Sequence, residues 1–188
     1  MSTPTAPSGR ADVDAQAPAP GQTLIRDAEP RDVAQLLELF RELAVYEHLA
    51  EGLVASEDRI AQALFGERPA AEALIAQRGE QIAGYAVFFP TFSTFLAIQG
   101  IWLEDLFVRP EHRKAGVGRA LMAAVAARVR ARGGERLEWA ALDWNELALG
   151  FYTRLGATRM DDWITHRLIG AELERLAAEG TPPGGGQR

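Results

Sequence analysis

Two short stretches carry the residue types that could do chemistry. Glu104 and Asp105 stand side by side inside an otherwise apolar run, IWLEDLFV. Arg113-Lys114-Ala115-Gly116-Val117-Gly118 follows and leads directly into a segment of helical periodicity. Gly116 and Gly118 let a ligand approach the backbone closely. Free N–H groups at a helix start hold phosphates, and Arg113, Lys114 and Arg119 add positive charge around them. Glu104 and Asp105 point to opposite faces of a regular strand, so one of them faces a covered side of the sheet. Burial raises a carboxyl pKa and makes a better general base near neutral pH. A phosphate-bearing ligand and a base would then share one cleft.

The glycine segment lacks the Gly-Lys-Ser/Thr ending of a nucleotide P-loop, which disfavours triphosphate hydrolysis. It also lacks the third glycine and downstream acid of a dinucleotide fold. A pyrophosphate held by amides at a helix start stays open, beside the plainer reading of a glycine loop before a helix. Asn145 reads as a helix cap that needs no functional explanation. Tyr152, two turns further, is a core or surface residue, or a phenol able to protonate a leaving thiolate. Tyr46-Glu47 and nearby Glu51 form an acidic helix end. Phe89, Phe92 and Phe95 flank Pro90 and either line a cleft or pack it.

These residues must be positioned by a modest number of elements. Thr23 to Arg26 reads as a strand, and Pro30 suits the first turn of a helix. Val33, Leu36, Leu37, Phe40, Leu43 and Ala44 give that helix one buried face, ending near Tyr46 to His48. Ser56 caps a shorter helix to Phe65. Strands are expected over residues 73–76 and 81–89, joined by a hairpin turn at Arg78-Gly79-Glu80. A loop is expected around residues 90–100, and then a strand over 101–109, stopped by Pro110. A helix over 116–132 follows, terminated by Gly133-Gly134. A strand over 136–142, a helix from the Asn145 cap to Leu155 with Gly156 just past its end, and a last strand over 163–168 complete the order. The pattern is α+β, with helices on both faces of a sheet.

Composition bounds the function. The chain has 188 residues, 47% hydrophobic and 24% charged, as expected of one soluble globular domain. No apolar run approaches the ~20 residues that cross a bilayer, and the N-terminus lacks the apolar core of a secretory signal. The expectation is therefore a cytoplasmic protein with no membrane partner. Residues 1–21, rich in Ala, Pro and Ser, and 179–188 read as disordered tails around a domain at 22–178. There is no cysteine, which excludes disulfides, thiolate metal sites and a cysteine nucleophile. His48, His112 and His166 are not spaced as metal ligands, so no metal is expected. A net charge of −6 and a pI near 5.2 argue against nucleic acid and suit a small cation.

At this point the residues resemble a known family. Arg113 to Gly118 fits the R/Q-x-x-G-x-G/A signature of the GNAT superfamily of N-acetyltransferases. Tyr46-Glu47, Leu103 to Val108, Trp144-Asn145-Glu146, Phe151-Tyr152 and Leu155-Gly156-Ala157 are similar in order and spacing to its spermidine/spermine and thialysine acetyltransferase branch. The resemblance implies a GNAT fold, with a mixed, mostly antiparallel twisted sheet of six to seven strands. It implies acetyl-CoA as co-substrate, with Leu106, Phe107 and Val108 beside the pantetheine arm. The segment Arg113, Lys114, Ala115, Gly116, Val117, Gly118 and Arg119 would hold the pyrophosphate, and Asn145, Ala148 and Arg154 would contact the cofactor further along. It implies Glu104 as base, deprotonating the ammonium through water, and Tyr152 as the acid for the coenzyme A thiolate. Tyr46, Glu47, Ser93, Phe95, Glu138, Trp139 and Ala140 would lie near the acceptor amine, in a homodimer. The polyamine enzymes carry an acid and a tryptophan where this chain has Ser93 and Phe95, which favours a shorter amine, such as thialysine or a diamine, over spermidine. Lys114 replaces the usual glycine after the arginine. Alternative readings of the same fold are a protein or antibiotic amine as acceptor, or a coenzyme A-binding module without turnover.

Overall fold

A computed structural model describes residues 21–180; most of the leader and tail segments expected to be disordered lie outside them. The chain divides into two compact units, one up to Ala140 and one from Ala141.

The first unit is built on five strands: β1 (Thr23–Asp27), β2 (Glu72–Arg78), β3 (Gln81–Ser93), β4 (Ile98–Val108) and β5 (Arg136–Trp139). They lie in the order β1-β2-β3-β4-β5, antiparallel except for the parallel β4–β5 pair. Helices α1 (Val33–Tyr46) and α2 (Glu57–Phe65) cover one face, with α3 (Val117–Ala131) on the other. Strand alternation explains the division. Ile75, Tyr85, Val87 and Phe107 join Leu36, Leu37, Leu39 and Ile60 in the core under α1 and α2. Their neighbours Leu74, Ala86 and Phe88 are also buried but point the opposite way, toward the apolar stripe Val117, Leu121, Val125 and Val129 of α3. β1 is tied to the start of α1 by Arg26, whose guanidinium donates to both Asp32 carboxylate oxygens at 2.6 and 2.7 Å.

Three expectations are corrected here. The loop expected at 90–100 is mostly strand: β3 runs to Ser93, β4 starts at Ile98, and Pro90 is opposite Ile101. Arg109 N–H donates to Ala83 C=O, so the odd-numbered residues of β3 bond to β4. Pro90 therefore faces the β2 side, where pairing has already ended at Phe88, and its missing N–H breaks no ladder bond. Secondly, residues 163–168 are not a strand. A strand needs a ladder partner, and this segment has none among the described residues. The described sheet accordingly has five strands, fewer than the six to seven expected. Thirdly, the strand expected to reach Leu142 ends at Trp139.

The second unit contains α4 (Glu146–Leu155) and α5 (Gly170–Ala178); the latter was not expected from the sequence. Asn145 caps α4 as expected, its Oδ1 accepting from Ala148 N–H at 3.1 Å. Gly156 closes the helix with φ +86°, a left-handed conformation that glycine adopts without a Cβ penalty. No helix among the described residues is long and apolar enough to cross a membrane.

Candidate functional site

The site in the first unit begins with an irregularity in β4. Val87 is opposite Asp105 and Phe88 is opposite Leu103, so Glu104 has no partner on β3. This is a β-bulge, which re-aims side chains and twists the strand. Trp102 Nε1–H donates to Glu104 Oε2 at 2.9 Å, placing Glu104 on the Trp102 side. Asp105 Oδ2 accepts from the Tyr85 hydroxyl at 3.3 Å, and Tyr85 lies in the core under α1. The bulge thus turns both carboxylates to one face, overturning the expectation that they point oppositely.

The two carboxylates differ sharply in setting. Glu104 is exposed and Asp105 half-buried. Burial, reinforced by the Glu104 charge, pushes the Asp105 carboxyl up to about 6, while its bond to Tyr85 pulls the other way and Glu47 adds a little. Burial also raises Glu47, at the end of α1, and raises Tyr85 well above the usual phenol, helped by the Asp105 charge. Glu47, Glu104 and Asp105 therefore make one acidic neighbourhood. Sequence reasoning ranked Asp105 below Glu104 and passed over Tyr85 and Trp102. The available signal was the pair of adjacent acids in an apolar strand, which fits a bulge as well as an alternating strand.

Beyond the bulge, β4 opens an edge. Because Arg109 and Phe107 bond toward β3, the backbone groups of Leu106 and Val108 point toward β5. Pairing of β4 with β5 ends at Leu103, opposite Trp139. Among the described residues, Leu106 and Val108 thus present N–H and C=O groups to an unpaired stretch, apart from Val108 C=O, which accepts from Arg113 Nε. Phe107 and Val117 are buried, and the Phe107 backbone is turned to β3, so of these two only the Val117 backbone remains available to a ligand.

The turn before α3 has the features of an anion cradle. Gly116 is the N-cap of α3 with φ +83°, and no side chain caps this helix among the described residues. A Cβ on Gly116 would meet nothing within 4 Å among them. No acid stands in the first turn, and Lys114, Ala115 and Arg119 are exposed. Open amides, a positive helix end and flanking cations fit a pyrophosphate. Lys114 holds φ 62°, a strained conformation at the position where the family pattern has glycine. Arg113 is aimed elsewhere: its guanidinium carbon is 4.9 Å from the Tyr46 ring centroid.

The remaining residues are brought together only in part. Glu138 is opposite Trp102 and so lies on the Glu104 face, whereas Trp139 is opposite Leu103 and points the other way. Glu138 is ion-paired with Arg136 at 2.7 Å, and Ala140 follows β5. Ser93 is buried and its Oγ accepts from Leu96 N–H at 3.3 Å, which stabilises the β3–β4 turn. Phe95 is 95% exposed in that turn. Ser93 is opposite Ile98, six residues from Glu104, or about 20 Å along a strand; Ser93 and Phe95 are not gathered at the carboxylates of their own chain. In the second unit, α4 carries Asn145 at its cap, Ala148 bonded to it, and Tyr152 with its ring 5.3 Å from that of Phe151. Arg154 lies near the C-terminal end of the helix.

Comparison with known proteins gives the family. Residues 34–157 match the Acetyltransferase (GNAT) family. The chain is 34% identical over 167 residues to thialysine N-epsilon-acetyltransferase of Bos taurus, covering 83% of this chain and 98% of the bovine protein. It is 29% identical over 197 residues to L-ornithine N5-acetyltransferase of Arabidopsis thaliana, covering 81% and 86%. Among solved structures, an integron cassette protein from the mobile metagenome of V. cholerae superposes with a TM-score of 0.70 at 26% identity, over 82% of this chain and 97% of that one. A ribosomal-protein-alanine N-acetyltransferase from Brucella melitensis shares the fold, with a TM-score of 0.63 at 19% identity over 79% and 100%. The family match and the similarity to these relatives over most of the chain agree: this chain belongs to the acetyltransferase (GNAT) family.

Proposed function

We propose that the protein transfers acetyl from acetyl-CoA directly to the primary amine of a small cationic acceptor, of the size of thialysine or ornithine. The observation that carries the acceptor class is the bulge, which sets Glu104 and Asp105 on one face near Glu47. Three carboxylates on one side of the sheet attract an ammonium and repel anions. Bound acetyl-CoA supplies the acyl group as a thioester. The Leu106 and Val108 backbone would bond its pantetheine amides, and the amides from Gly116 to Arg119, with Lys114 and Arg119, would hold its pyrophosphate. Asn145, Ala148 and Arg154 would contact it from α4.

An alkylammonium is almost wholly protonated at pH 7 and cannot attack until it loses a proton. Glu104 accepts that proton, directly or through water, and Trp102 fixes its carboxylate. Tyr152 returns a proton to the departing thiolate. Holding both substrates together supplies much of the rate, and a chain without cysteine suits direct transfer. Tyr46 and Glu47 recognise the acceptor, with Glu138, Trp139 and Ala140 bordering it. Assembly as a homodimer belongs to the same reading, on the strength of the branch that the sequence resembles.

The test is thiol release from acetyl-CoA with a panel of amines. Thialysine, ornithine and short diamines are expected to turn over, with acetylated amine and free coenzyme A formed one for one. Tight coenzyme A binding with no release for any amine would reject the reading.

A further inference from the structure

Arg113 opens the phosphate-binding turn, yet its side chain leaves that turn. Its Nε–H donates to Val108 C=O at 2.9 Å. Its guanidinium carbon is 4.9 Å from the Tyr46 ring centroid and 5.9 Å from that of Phe107. Phe107 is buried, while Arg113 and Tyr46 are both half-buried. A guanidinium held over two ring faces interacts with their negative charge while partly desolvated, the setting in which cation–π attraction is strongest. One of its donors is already committed to a backbone carbonyl. The exposed cations of the turn are instead Lys114 and Arg119.

We propose that Arg113 is a positioning residue: by bonding Val108 and stacking on Tyr46 it ties the phosphate-binding turn to the end of β4 and the end of α1, so that Tyr46 sets coenzyme A affinity without touching the phosphates. The inference rests on the acetyl-CoA reading above. It links the two substrate sides physically. The last residue of α1 stands next to Glu47 on the acceptor side, and the same ring holds the side chain at the start of the cofactor turn. The end of α1, remote in the sequence, meets the end of β4 and the turn that follows it at this one guanidinium, and a loop with a strained residue, Lys114 at φ 62°, needs such an anchor to keep its amides aligned.

The experiment is calorimetric titration with coenzyme A, without amine. Tyr46→Leu is expected to raise Kd roughly five- to thirty-fold, the span set by a partly desolvated cation–π contact. Tyr46→Phe keeps the ring and should stay within about twofold. Arg113→Met should resemble Tyr46→Leu, and the double variant should bind no worse than Arg113→Met alone, because the two residues act as one unit. The salt dependence of binding should survive in Arg113→Met, since screening acts on phosphate contacts that this variant retains. A series of Tyr46→Phe variants with increasing ring fluorination removes charge from the ring face with little change of shape, so Kd should climb stepwise. Wild-type affinity in Tyr46→Leu, a flat fluorine series, or additive losses in the double variant would overturn the inference while leaving acetyl transfer intact. A wild-type protein that binds no coenzyme A would overturn the proposed function as well.

Discussion

The Tyr85 hydroxyl donates to Asp105 Oδ2 at 3.3 Å across the β3–β4 ladder. This diagonal pair joins the deepest polar group of the α1 face to a carboxyl raised to about 6. Asp105 is therefore in the range where it changes charge just below neutral pH, beside the carboxylate assigned as base.

That setting gives stability a definite pH dependence. The folded protein holds the Asp105 proton up to about pH 6, whereas an unfolded aspartate releases it near pH ~4. Between these values the folded state binds more protons, so stability falls as pH rises. The contribution is complete below pH ~4 and lost as pH climbs past the folded value, at most about 2–3 kcal/mol. Asp105→Asn keeps an acceptor for Tyr85 and removes the charge. Its stability relative to wild type should grow between pH 4.5 and 7.5, by about 2 kcal/mol, in urea unfolding. Parallel pH curves for the two proteins would show that the Asp105 carboxyl is not raised.

Glu104→Gln tests the base. Turnover should drop by about 10²- to 10⁴-fold, most at mildly acidic pH, where free neutral amine is scarcest. Coenzyme A affinity should change little, because Glu104 lies on the acceptor side. Steady-state rates from pH 6 to 9 decide this, and a rate that is unchanged across that range rejects Glu104.

The glycines separate structural from ligand space. A Cβ on Gly84 would stand 2.3 Å from the Phe107 carbonyl oxygen, so Gly84→Ala forces β3 and β4 apart and should cost about 1–3 kcal/mol or more. At Gly116 a Cβ meets nothing within 4 Å among the described residues, so Gly116→Val carries mainly the left-handed backbone penalty of about 1–2 kcal/mol or more, yet should abolish coenzyme A binding by filling the phosphate approach. Thermal melting and calorimetry on both variants give the comparison. A Gly116→Val protein with normal affinity would move the pyrophosphate elsewhere.

Asn145 carries two assignments that substitution can split. Asn145→Ala removes the cap of α4 and should cost about 1 kcal/mol. Asn145→Asp keeps the capping oxygen, so stability should hold, but the lost amide donor and the new charge should weaken coenzyme A binding. If Asn145→Asp binds coenzyme A normally, the residue is a cap alone.

The extent to which this protein was legible in its sequence follows the range of the forces involved. Caps and helix stops are local: Ser56, Asn145 and Gly156 each act within one turn, and all three were readable in advance. The apolar stripe of α1 was equally plain. Pro90 was misleading, since its cost depends on whether a neighbouring strand reaches it, and β2 stops short. Residues 163–168 include the strand-favouring Trp163, Ile164 and Thr165, but composition does not supply a partner.

Residue types and their spacing marked the glycine turn before α3, proposed to hold the pyrophosphate, the acid in the strand before it, the capped helix carrying Tyr152, and the absence of cysteine chemistry. Packing across the fold put Glu104 and Asp105 on one face, turned Arg113 back to Tyr46, and left Ser93 and Phe95 far from the carboxylates of their own chain. The first set depends on residue type and on spacing within a few positions. The second depends on strand register and on side chains meeting across the fold, where one unpaired residue in β4 redirects the next and a guanidinium settles on whichever ring packing brings within reach.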